Sequence, residues 1–133
     1  MNDDGSAVVD FALVGGLLSV LFLSVLQVGL VVHVRNTLID CAAQGARFGA
    51  VAGRQPSDGL ARTHDLVAAE LSAGYERRLS EVSAGTVQTS GVQAVEVVVR
   101  APLPVVGLLG PAGQLTVRGH AFAEDQVVVT VDR

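Results

Sequence analysis

Residues 11–34 read FALVGGLLSVLFLSVLQVGLVVHV, 24 residues with no Asp, Glu, Lys or Arg. As one helix this stretch is about 36 Å long at about 1.5 Å per residue. A bilayer core needs about 20 mostly apolar residues, so the segment is long enough to cross a membrane with some tilt. The alternative is a buried helix of a soluble domain. The rest of the chain would then have to cover an all-round apolar helix on every side, which is demanding in a chain of 133 residues.

Composition narrows the remainder. Half the residues are hydrophobic, the formal charge is −4 and the pI about 5.2. No basic patch or nucleic-acid motif is present, and aromatic residues make up only 4%, too few for base stacking. All nine basic residues are Arg, which reads as codon bias. The single cysteine, Cys41, excludes an internal disulfide and any multi-cysteine metal site.

Ahead of the apolar run stands MNDDGSAVVD. A secretory signal runs from a basic region through a short apolar core to a small-residue cleavage site, and that order is not found here. Small Gly5 and Ser6 precede the apolar run, so the candidate cleavage point lies before it. Asp10 lies at the mouth of the segment, where an intramembrane carboxylate needs a partner or a reason. Cleavage between Gly5 and Ser6 would create a new α-amino group at Ser6. Asp10, fifth in the processed chain, would then be placed to pair with a neighbouring subunit's amino terminus and hold register. The alternative is an interfacial Asp solvated by head groups.

The string GSAVVDFALV, followed by a long apolar helix, resembles a type IV prepilin processing site. More narrowly, the chain is similar to the TadE-like family of minor pilins (pseudopilins) of tight-adherence pilus systems. HVRNTLIDCAAQGARFGAVAG resembles that family's continuation past the span. VEVVVRAPLPVVGLLGPAGQLTVRGHAFAE resembles its carboxy-terminal strand, proline-containing turn and strand. The family usually has Glu where this chain has Asp10, and often a proline near where Gly15 and Gly16 stand.

The resemblance implies a structural or assembly subunit rather than an enzyme. It implies a leader at 1–5 removed after Gly5, with Asp10 and Phe11 at the register-setting positions. It implies an inner-membrane, single-pass protein with its head outside the membrane and possible display at the cell surface. The partners it implies are pilin and pseudopilin subunits, a prepilin peptidase and pilus assembly platform proteins, with no cofactor, nucleic acid or small-molecule substrate. Arg35, Arg47 and Arg54 follow the span, and the positive-inside bias would place that side in the cytoplasm, opposite to the resemblance. A membrane-anchored binding module outside any filament is the second functional class. A type II secretion pseudopilin is a third, which the short leader and Phe11 fit less well.

Nothing in the residues between 34 and 52 breaks a helix, so the span is expected to continue as one helix over 6–54, with an α+β head over 55–133. Cys41, Gly45, Gly49 and Gly53 recur every four residues with Ala42, Ala46 and Ala50 beside them, a spacing that lets another backbone approach closely. The groove fits a sister helix or the protein's own sheet. His33 suits an interfacial position better than a proton relay, and Cys41 a buried small residue better than a disulfide or lipid site.

A turn at 54–59 precedes a second helix over about 60–73, with Leu60, His64, Val67 and Leu71 on one face, Asp58 as its cap and Gly74 at its end. Strands are expected over about 79–89, 92–101 and 115–124, with a fourth at 127–131. In the second, Val95, Val97, Val99 and Ala101 share a face, opposite a solvated set containing Glu96 and Arg100. The expected fold is α+β: a long transmembrane helix running into a head of one further helix on a three- or four-stranded antiparallel sheet. The apolar loop 105–109 is either a contact surface or tucked beneath the sheet. No zinc spacing, nucleotide loop or hydrolase elbow is present, and His64, Asp65 and His120 do not make a catalytic set by spacing.

Overall fold

The computed structural model describes residues 3–104 and 113–123. The chain opens with a single helix, α1, Asp3–Ala50. Its 48 residues extend about 72 Å at about 1.5 Å per residue. Leu, Ala and Val dominate it and no proline interrupts it. The hydroxyls of Ser19 and Ser24 donate to the carbonyls of Gly15 and Val20 at 2.7 and 2.8 Å, so these polar side chains are satisfied within the helix. Through Leu26 every described side chain is exposed. From Gln27 onward one stripe, including Val34, Leu38, Cys41, Ala42, Ala46 and Ala50, turns into the head.

Helix α1 stops at Ala50, a few residues short of the expected limit. Gly53 adopts φ +81, a left-handed conformation that glycine enters at little cost. The Arg54 N–H closes the turn on the Val51 carbonyl at 3.0 Å. Pro56 then begins α2, Pro56–Glu70, at a helix-start position that needs no N–H donor. Asp58 is inside this helix rather than before it: its carboxylate accepts from the Gln55 N–H at 2.9 Å, and its own N–H donates to the Gln55 carbonyl. Gln55 is therefore the capping residue, and α2 begins four residues before the expected Leu60. It also ends early, where the Leu71 N–H donates to Val67 O at 3.1 Å. Gly74 terminates nothing; it lies inside a one-turn helix, α3, Ala73–Glu76, whose start is capped by the Ser72 hydroxyl accepting from the Tyr75 N–H.

The sheet is an antiparallel meander in the order β1-β2-β3. Strand β1 is Glu81–Thr89, β2 Val92–Pro102 and β3 Gln114–Phe122. Ser90 and Gly91 join the first two with φ of 54 and 80, the pair of positive values a two-residue hairpin turn favours because it matches the strand twist. Central β2 shows the expected alternation: Val95, Val97, Val99 and Ala101 are buried against the helices. In β3, Val117 and Gly119 are buried between exposed Thr116, Arg118 and His120. The Tyr75 hydroxyl ties α3 to the sheet by donating to Pro102 O at 2.8 Å. The architecture is α+β: a long apolar helix, then a second helix and a three-stranded antiparallel sheet among the described residues. The apolar loop at 105–109 and the fourth strand at 127–131 lie outside those residues.

Candidate functional site

Gly5, Ser6, Asp10 and Phe11 all lie on the first turns of α1 and all are exposed, Phe11 at 80%. The Gly5–Ser6 bond is within the helix, and a methyl group added at Gly5 would meet nothing within 4 Å. Among the described residues, no hydrogen bond or ion pair is made by Asp10. Within one copy of the chain this carboxylate is thus presented outward. Val8, Val9, Phe11, Leu13 and Val14 around it are apolar and exposed. Such a surface is unsuited to water and suited to hydrocarbon or to other helices. Among the described residues, α1 is the one helix long and apolar enough to cross a membrane by length and composition, and 6% of its most apolar window is buried.

The small-residue stripe farther along α1 has a different neighbour from either of those anticipated. Gly45 and Gly49 face α2 rather than the sheet. A methyl group at Gly45 would collide with the Thr63 hydroxyl and come within 2.7 Å of the Gly59 carbonyl. At Gly49 it would sit 3.2 to 3.4 Å from backbone atoms of Gln55, Pro56 and Gly59. Gly59 is the reciprocal partner, since a methyl group there would strike the Gly45 carbonyl. Thr63 is fully buried at this crossing, and its hydroxyl is satisfied by donating to Gly59 O at 2.8 Å. The sheet meets the adjacent stripe instead, where Gly119 of β3 lies directly against the Ala42 backbone. Gly53, fourth in the series, lies beyond the helix in its turn with open space around it. Cys41 is 1% exposed in the core. Burial first, then the negative charges of Glu70 and Asp40, push its thiol up to about 11, so it is a neutral packing group rather than a reactive one.

Two histidines form contacts that residue spacing alone did not reveal. His64 Nδ1 lies 2.6 Å from Glu76 Oε1, linking α2 to α3. His120 Nε2 lies 2.6 Å from Glu96 Oε2 across directly opposed positions of β2 and β3. Arg100 pairs with Glu81 of β1 at 2.8 Å. Glu96 and Arg100, expected as one solvated set on β2, therefore each pair with a different neighbouring strand. The cross-strand register that decides this is not visible in β2 alone.

One shallow, open cleft lies between α1 and α2, lined by Gln44, Arg47, Phe48, Val51 and Arg62. The Arg54 guanidinium stacks over the Phe48 ring at 3.7 Å beside it. The lining has no nucleophile, general acid or general base. Among the described residues, no three His, Cys, Asp or Glu side chains come together to hold a metal ion.

No curated protein and no solved structure matches this chain. A family model does: the one described as TadE-like protein matches residues 5–47. The matched range begins at Gly5, takes in Asp10 and Phe11, covers the exposed apolar helix and runs through Cys41 and Gly45 into the packed part of α1. The carboxy-terminal strands fall outside it. Over residues 5–47 the chain is similar to the family described as TadE-like protein, and the match falls on the long apolar amino-terminal helix.

Proposed function

We propose that this protein is a minor pseudopilin, a structural and assembly subunit of a tight-adherence pilus. The observation that carries the reading is the TadE-like match over residues 5–47, which falls on a helix whose amino-terminal half is apolar and exposed on all sides. The chain is anchored as a single-pass protein of the inner membrane, with the head built on α2 and the sheet held on the extracytoplasmic side. A prepilin peptidase removes residues 1–5, leaving Ser6 as the new amino terminus. Pilin and pseudopilin subunits and the assembly platform are its partners.

Chemistry explains why Asp10 matters here. In lipid, an unpaired carboxylate costs up to about 2.5 to 3.5 kcal/mol at mid-membrane on insertion scales. A protonated α-amino group of a neighbour's Ser6 supplies the opposite charge, and in a low-dielectric setting the pair fixes the axial position of one helix against the next. The exposed carboxylate of Asp10, with no partner among the described residues, suits that role.

The test is an Asp10→Ala chain in cells that make the pilus. Insertion and processing are retained and pilus assembly is lost. Normal pili in that strain would remove the register role. A membrane-anchored binding module outside any filament predicts instead an intact Gly5–Ser6 bond and no coprecipitation with pilin.

A further inference from the structure

We propose that the head rests on the bilayer surface, with the outer hydrocarbon boundary at Gln27, so that the lipid-spanning part of α1 is residues 5–26. This rests on the single-pass reading above and adds where the membrane ends and which edge of the head meets it.

Hydropathy alone places the end of the span near Val34, because the first charged residue after it is Arg35. Packing places it earlier. All-round exposure of α1 ends at Leu26. The next residue, Gln27, is partly buried, and its side-chain amide donates to the Pro104 carbonyl at 2.7 Å. Leu30 is partly buried against the core, and Val34 and Leu38 are fully within it. The head thus begins alongside Gln27, about eight residues before the apolar run ends.

Two lengths agree with that boundary. Residues 5–26 extend about 33 Å as a helix, against about 30 Å of hydrocarbon in a typical bilayer. The interfacial layer adds about 5 to 8 Å per side, or about three to five helical residues. That places Val28 and Val32, apolar on the side of α1 away from the head, in the head-group zone, and His33, Arg35 and Asn36 at its aqueous edge.

Among the described residues, Pro104 meets α1 at this level, preceded in the chain by Leu103 and Pro102, all three partly buried. These three residues carry no charge to desolvate. The Gln27 amide is the one side-chain polar group of α1 between Ser24 and His33. It is satisfied by the head, which permits it to lie at the hydrocarbon boundary. Asp10, sixteen residues before Leu26, then lies about 24 Å below the outer boundary, inside the hydrocarbon near its inner face.

The test is a thiol scan in the full-length chain carrying Cys41→Ala, reconstituted into vesicles of phosphatidylcholine and phosphatidylglycerol. Single cysteines replace exposed residues Leu18, Val25, Val32 and Asn36, and each reacts with a charged maleimide from the head side. Val32→Cys is expected to react within about threefold of Asn36→Cys and at least tenfold faster than Val25→Cys and Leu18→Cys. Val32→Cys reacting as slowly as Val25→Cys would put the boundary near Val34 and overturn the inference, while leaving the single-pass reading intact. Leu18→Cys reacting as fast as Asn36→Cys would show no span at all and overturn both.

Discussion

Adding one methyl group at residue 45 tests whether the α1–α2 crossing holds the head together. In Gly45→Ala the new methyl meets the Thr63 side chain and the Gly59 carbonyl, and both groups are fixed: Thr63 is fully buried and Gly59 O is backbone. Overpacking of this kind costs about 1 to 3 kcal/mol, and the upper end applies where backbone must move. Replacing glycine by alanine in a helix returns about 1 kcal/mol. The net expectation is a loss of about 2 kcal/mol.

Gly49→Ala, whose methyl would sit at 3.2 Å or more from its neighbours, is expected to lie between that loss and neutrality. Gly29→Ala, with nothing within 4 Å, is expected to be neutral or slightly stabilising. The assay is a urea titration of the full-length chain in detergent micelles, read from the fluorescence of Tyr75. This is the one tyrosine of a chain without tryptophan, and it is buried in the head. With a urea slope of about 1.5 kcal/mol/M, a 2 kcal/mol loss moves the midpoint down by about 1.3 M. A Gly45→Ala midpoint at or above that of Gly29→Ala would refute the crossing.

Further expectations concern the same head. Tyr75→Phe removes the donor to Pro102 O and should cost about 1 kcal/mol in a urea titration followed by far-ultraviolet circular dichroism, since this variant lacks the fluorescent side chain. Because the folded state raises the Cys41 thiol from 9.0 to about 11, the neutral thiol is the native form. Its contribution is complete below pH 9 and is lost as pH rises toward 11. Midpoints measured between pH 9 and 11 should therefore fall more steeply for the native chain than for Cys41→Ala. The exposed Arg100–Glu81 pair is worth little, and Arg100→Ala should shift stability by less than about 1 kcal/mol.

Much of this architecture was written in local patterns. The uncharged run at 11–34 announces α1, and Val95, Val97, Val99 and Ala101 announce the buried face of β2, because period two and all-round apolarity are properties of a segment by itself. What a segment meets is not. The four-residue spacing of Gly45 and Gly49 signals a close approach, yet only the fold shows that α2 fills the groove through Gly59 and that Gly119 seats the sheet one stripe over at Ala42. A glycine in α2 four residues before Thr63 was the signal available for that crossing. The partners of Glu96 and Arg100 depended on strand register. The end of α1 was set by Gly53 with Pro56 behind it, a turn signal stronger than the helix-favouring alanines before it.

The mass of the mature amino terminus tests the central claim most directly. It is measured on protein from membranes of cells that also make the prepilin peptidase. A chain beginning at Ser6 is the predicted result, and it makes Asp10 the fifth residue of the processed subunit. A chain that retains residues 1–5 would contradict processing and the register role of Asp10, and would leave α1 as a plain anchor for the head.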